Sequence, residues 1–159
     1  EYTQEQLQML ITEKLGIDFG HIIDHNFYSR TFKQNQVLGR CLMESLILWD
    51  GVGIVSYVTR KELDFYMVGN NDLGGIIDQL RLTEGVKVAI FIHEKEPHTY
   101  KVSMRTTVPD IDVSKVAAFF GGGGHKMAAG CTISSGKVHD VINNITKQLQ
   151  FQLLEKGYI

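Results

Sequence analysis

Val86-Lys87-Val88-Ala89-Ile90-Phe91-Ile92-His93 is the stretch whose reading decides the architecture. Val86, Val88, Ile90 and Ile92 alternate with Lys87, Ala89, Phe91 and His93, and both faces turn apolar in the middle. A strand with two apolar faces has to be covered on both sides, so it belongs at the centre of a sheet. After a turn at Glu94–His98 that contains Pro97, alternation resumes at Tyr100–Thr106. Tyr100, Val102 and Met104 share one face, and Lys101, Ser103 and Arg105 share the other. This second strand is polar on one side. Upstream, Leu46–Trp49 and Gly53–Thr59 flank Asp50-Gly51, a pair that signals a β-hairpin.

Helical spacing surrounds these strands. Leu7, Leu10, Ile11 and Leu15 predict a first helix, with Thr3 as N-cap and Gly16 as stop. Ile22, Ile23 and Phe27 form a second apolar set, and Phe32, Val37, Leu38, Cys41, Leu42 and Leu46 a third. Thr59-Arg60-Lys61-Glu62 reads as a capping box before a short helix, and Asp72 as the cap of a helix carrying Leu73, Ile76, Ile77, Leu80 and Leu82. Asp112 is a plausible N-cap for Val113–Phe120. A short strand is expected at Cys131–Ile133, followed by an amphipathic helix from Val138 to Lys156. The fold class that follows is α/β, a mixed β-sheet flanked by helices and preceded by a short all-helical segment. The expected boundary lies near Leu46: residues 1–45 are too few to bury their own faces, and 46–159 have the size of an ordinary domain.

Composition narrows the function classes. The 159 residues are 43% apolar and 21% charged, as in soluble globular proteins, and no apolar run approaches bilayer length. A membrane partner is not expected. Sixteen basic residues stand against eighteen acidic ones for a net charge of −2, without any block of Lys or Arg. A protein that tracks a long duplex needs a basic stripe, so any phosphates bound here should be few. Cys41 and Cys131 lack zinc-type spacing and read as reduced thiols in a cytoplasmic protein. The histidines do not cluster with carboxylates, and Asp24-His25 reads as a pair on a helix surface. No metal is therefore assigned to these residues.

The chemistry-bearing stretch is Phe120-Gly121-Gly122-Gly123-Gly124-His125-Lys126-Met127-Ala128-Ala129-Gly130. Successive glycines raise the entropy lost on folding, and a helix C-cap accounts for one or two of the four. A backbone without side chains also lets an anion lie against its N–H groups, with His125 and Lys126 as further donors. The spacing is not that of a Walker loop. Arg105, on the polar face of its strand, offers a planar guanidinium suited to bidentate phosphate recognition. A flexible surface loop and a solvent-facing arginine are the structural alternatives.

Thr83-Glu84-Gly85-Val86-Lys87-Val88-Ala89, Lys101-Val102-Ser103-Met104-Arg105, Asp112-Val113-Ser114-Lys115-Val116-Ala117 and Phe120 through Gly130, in that order, resemble the DHH-associated C-terminal domain of the DHH phosphoesterase superfamily. The nearest subgroup is that of the nanoRNases and 3′-phosphoadenosine 5′-phosphate phosphatase-like, exopolyphosphatase-related proteins. The resemblance implies that residues 1–45 are the helical tail of a catalytic DHH domain plus linker, and that 46–159 bind substrate. It implies an N-terminal DHH domain in cis holding two Mn2+ ions, with no cofactor and no catalytic residue in this fragment, because no Asp-His-His occurs here. It also implies substrate contacts from Arg105, Thr106, Gly121, Gly122, Gly123, Gly124, His125 and Lys126, on a short oligonucleotide, a dinucleotide or 3′-phosphoadenosine 5′-phosphate. Alternatives from other classes are a stand-alone nucleotide- or RNA-binding module and a dimerisation module, with a homodimer as partner.

Overall fold

The computed structural model describes residues 3–16 and 29–159; the apolar set Ile22, Ile23 and Phe27 and the Asp24-His25 pair lie outside them. Contacts divide the chain into two units, Glu1–Phe32 and Lys33–Ile159. In the first, α1 (Gln4–Leu15) is capped as its sequence predicts: the Thr3 hydroxyl accepts from the Gln6 N–H at 3.2 Å, the Gln6 side chain accepts from the Thr3 N–H at 2.9 Å, and Gly16 ends the helix at φ 63°.

The second unit is built on a mixed sheet of six strands in the order β1-β2-β3-β4-β6-β5. β1 (Leu46–Leu48) and β2 (Gly53–Val58) form the predicted hairpin, turning through Trp49, Asp50 and Gly51 at positive φ. The chain then crosses over through α3 (Arg60–Tyr66), a 3-10 turn (Asn70–Leu73) and α4 (Ile76–Arg81), and returns as β3 (Val88–Glu96) parallel to β2. β4 (Thr99–Thr106) runs antiparallel to β3, and β6 (Ala128–Ser134) antiparallel to β4. Between them come α5 (Val113–Phe119) and β5 (Gly123–His125), and α6 (Val138–Glu155) closes the chain.

Two cores sandwich the sheet, as the two apolar faces of β3 require. Val88, Ile90, Ile92, Tyr100, Val102 and Met104 pack with α5 and α6 on one side. Ala89, Phe91, Ile54 and Val58 pack on the other with α3, α4 and α2 (Phe32–Met43). α2 buries Val37 and Cys41 completely in that second core, and the compact unit Lys33–Ile159 takes in nearly all of this helix. The Ser56 hydroxyl ties the strand to it by donating to the Cys41 carbonyl at 2.6 Å.

Local caps differ from the sequence reading at two places. Thr59 caps α3 by accepting from the Glu62 N–H, but the Glu62 carboxylate turns to Arg40 at 2.7 Å instead of completing a capping box. A charge-assisted bond to the guanidinium outcompetes the weaker reach back to a backbone N–H. Asp72 accepts from the Gly69 N–H at 2.8 Å and closes the 3-10 turn, while the N-cap of α4 is Gly75.

Candidate functional site

The two sides of the sheet are not covered equally. α5 and α6 roof one side across β3, β4 and β6, whereas on the other side α3 and α4 pack on β2 and β3, with α4 reaching β4 as well. Past β3, the second face of β4, β6 and β5 is partly open: Lys101, Thr132, Gly123 and His125 are exposed, and Ser103, Arg105, Ala128 and Gly130 half-buried. Strand register fixes what stands on it, because directly paired residues point to the same face. Arg105 pairs with Ala128, and Ala128 with His125, which gives one row across three strands. The next row is Ser103, Gly130 and Gly123; the one after holds Lys101 and Thr132. With strands spaced 4.7–4.9 Å apart, the Arg105 and His125 backbones stand about 10 Å apart, with only the methyl of Ala128 between them.

Arg105 is half-buried, and its guanidinium donates to the Met104 carbonyl at 3.0 Å. Among the described residues, the ion pairs are Arg40–Glu62, Arg60–Asp64 and Arg81–Asp78, and none uses Arg105, Lys101 or Lys126. Along β4, β6 and β5, every ionisable side chain on this face is basic in type, although the whole chain carries a net charge of −2.

The glycine run is a helix cap that passes into an edge strand. Gly121 takes φ 80°, its N–H donates to the Ala118 carbonyl, and the Gly122 N–H donates to Ala117 at 2.8 Å, the paired bonds of a Schellman ending. At Gly122 a Cβ would meet the Gly130 carbonyl oxygen at 2.2 Å, and at Gly124, with φ 142°, the Ala128 oxygen at 2.7 Å. Close pairing of β5 on β6 therefore requires both. Gly123 has neither a positive φ nor any atom within 4 Å of an added Cβ. Folding leaves Gly123 unexplained. Residues 123–125 form a strand, with Gly124 at φ 142°, and among the described residues its outer edge pairs with no other strand. Any backbone donors offered to an anion are those of an edge strand.

The scaffold beneath is tied firmly. Asp112 caps α5 by accepting from the Ser114 and Lys115 N–H groups, and its carboxyl is held below the usual range by the Ser114 hydroxyl and these backbone bonds. Gln152 of α6 clamps the same residue, accepting from the Asp112 N–H at 2.8 Å and donating to its carbonyl at 2.9 Å. The β5–β6 turn is anchored as well: the Lys126 carbonyl accepts from the Val113 N–H and the Met127 carbonyl from the Thr106 N–H.

Of the expected site residues, register brings Arg105, Gly123 and His125 onto one face. Lys126 lies in the adjoining turn with its side chain exposed. Gly121, Gly122 and Gly124 shape the backbone. Thr106 is a correction: it is 2% exposed, and its hydroxyl is engaged with the backbone of Val108. One residue further along a strand is the opposite face, so Thr106 cannot share a ligand with Arg105. The same alternation puts Ser103 and Lys101 on the same face as Arg105, one and two rows away, a signal already present in the sequence.

His93 pairs with Lys101 and stacks on Phe91 at 6.1 Å between ring centroids. Burial pushes its imidazole down to about 4, and the charges of Lys101, Arg60 and Lys95 act in the same direction. A histidine kept neutral in the fold but protonated in the unfolded chain stabilises fully above the unfolded value of about 6.5 and progressively less as pH falls toward 4. Between pH 7 and 4.5 we expect a loss of about 2–3 kcal/mol from this residue. Urea unfolding of wild type and His93→Gln at both pH values checks it, since the variant should lose that much less; equal losses would contradict the assignment.

Among the described residues, no group of three or more His, Cys, Asp or Glu is placed to hold a metal ion, and no helix is long and apolar enough to cross a membrane. Cys41 and Cys131 are buried and unpaired, and burial pushes both thiols up to about 11, far from the thiolate a nucleophile needs.

A two-sided α/β sheet with one basic, half-open face is thus the class of domain that fold and site define. Residues 53–150 match the DHHA1 domain, and the chain belongs to that family. Its fold is similar to that of an exopolyphosphatase-related protein from Bacteroides fragilis, with a TM-score of 0.80 and 22% identity over 97% of this chain and 45% of that one. It is also similar to PggH from Vibrio cholerae, a pGpG-specific phosphodiesterase, with a TM-score of 0.57 and 12% identity over 96% of this chain and 53% of that one. The chain therefore spans about half the length of these structures.

Proposed function

We propose that this chain is the substrate-gripping part of a DHH-family phosphoesterase that cleaves short oligonucleotides, dinucleotides or 3′-phosphoadenosine 5′-phosphate in the cytoplasm. The observation that carries the reading is the row Arg105–Ala128–His125: two donors stand on one face with a methyl group between their backbones, beside an edge strand whose Gly123 the fold itself does not require. A phosphate held there exchanges bulk water for charge-assisted bonds from a rigid sheet, which fixes the substrate's position without performing chemistry on it. One protein of similar fold is a pGpG-specific phosphodiesterase, which supports a phosphodiester as the substrate class.

Hydrolysis would then be the work of a DHH domain preceding these residues in the same polypeptide. Two manganese ions held there would supply an activated water. The described residues offer no donor cluster for them. We expect the 159-residue chain to show no turnover of a dinucleotide with Mn2+, while a polypeptide continuing into a DHH domain shows turnover that a chelator abolishes. Chelator-sensitive hydrolysis by the chain alone would overturn this division of labour.

A further inference from the structure

The open face extends beyond the Arg105 row. Each step of two residues along β4 advances about 7 Å, close to the spacing of successive phosphates in an extended single strand. The first step reaches Ser103, Gly130 and Gly123, a floor with almost no side chain on which a sugar-phosphate can lie close to the sheet. The second step reaches Lys101 and Thr132, an exposed ammonium and an exposed hydroxyl on adjacent strands. On β3 the buried His93 stands opposite Lys101. One step further, the charge reverses: Glu96 stands opposite Thr99.

We propose that Lys101 and Thr132 form a second phosphate site, two phosphate steps from the Arg105 row, and that Glu96 closes the groove behind it, so that the face measures a linear oligonucleotide of three phosphates. This rests on the reading of the Arg105 row as a phosphate site. It narrows the substrate to a single strand laid along β4, with its outermost phosphate on Lys101. Lys101 is exposed and outside both cores, so replacing it leaves the fold intact.

The test is an amide-resolved NMR titration of the chain, which detects millimolar binding, with 5′-phosphorylated adenylates of one to four nucleotides. Wild type should gain roughly threefold to tenfold in affinity between the second and third nucleotide, as one added charge-assisted contact implies, and little from the fourth. The amides of Lys101 and Thr132 should respond only from the trinucleotide on. Lys101→Ala should abolish that gain and bind the dinucleotide as wild type does, whereas Arg105→Ala should weaken every ligand. A gain that survives in Lys101→Ala, or an equal gain at the fourth nucleotide, would overturn the second site or its boundary while leaving the Arg105 row standing. If no ligand moves the Arg105 and His125 signals, the reading of the first row fails and this one with it.

Discussion

Gly122→Ala should unfold the domain at a temperature roughly 10 °C or more below wild type, corresponding to a loss of about 3 kcal/mol or more. The added methyl would stand 2.2 Å from the Gly130 carbonyl oxygen and 2.6 Å from Cys131 Cβ. Neither obstacle is the free end of a flexible side chain, so relief requires β5 to lift from β6. Gly123→Ala is the matched control. Its Cβ meets nothing within 4 Å, and its φ is one that alanine accepts. Its melting temperature should therefore equal or slightly exceed that of wild type, because alanine restricts the unfolded chain. If the bare backbone at 123 serves a ligand, the same variant should bind a dinucleotide about tenfold more weakly, since a methyl there holds the phosphate away from the edge. Calorimetric melting and binding of the two variants separate folding from function. A stable Gly123→Ala that binds like wild type would remove the glycine run from the site.

Arg105→Ala should weaken binding of a dinucleotide or of 3′-phosphoadenosine 5′-phosphate by roughly tenfold to a hundredfold, the worth of one to two charge-assisted bonds. Stability should change little, because the guanidinium makes no ion pair among the described residues and a single hydrogen bond to the Met104 carbonyl. Isothermal titration of the longer polypeptide, in which both walls of the cleft would be present, gives the largest signal. Wild-type affinity in the variant would mean that the phosphate sits elsewhere.

The sheet's centre was legible because Val86–His93 carries its own burial pattern on both faces, and the hairpin because Asp50-Gly51 names its turn. The caps at Thr3 and Asp112 were legible for the same reason: each depends on residues two or three positions away. What escaped depends on distant partners. β5 is Gly-Gly-His, without strand propensity, and exists because β6 folds back to pair with it. Thr106 entered the site through the resemblance alone, although strand alternation already places it on the face opposite Arg105.

The most direct test of the central claim is a crystal structure of the chain bound to 3′-phosphoadenosine 5′-phosphate. We expect a phosphate over Ala128, with its oxygens within hydrogen-bond distance of the Arg105 guanidinium, of His125, and of a backbone N–H between Gly123 and His125. A phosphate lodged away from the β4–β6–β5 face, with Arg105 still turned to the Met104 carbonyl, would contradict it.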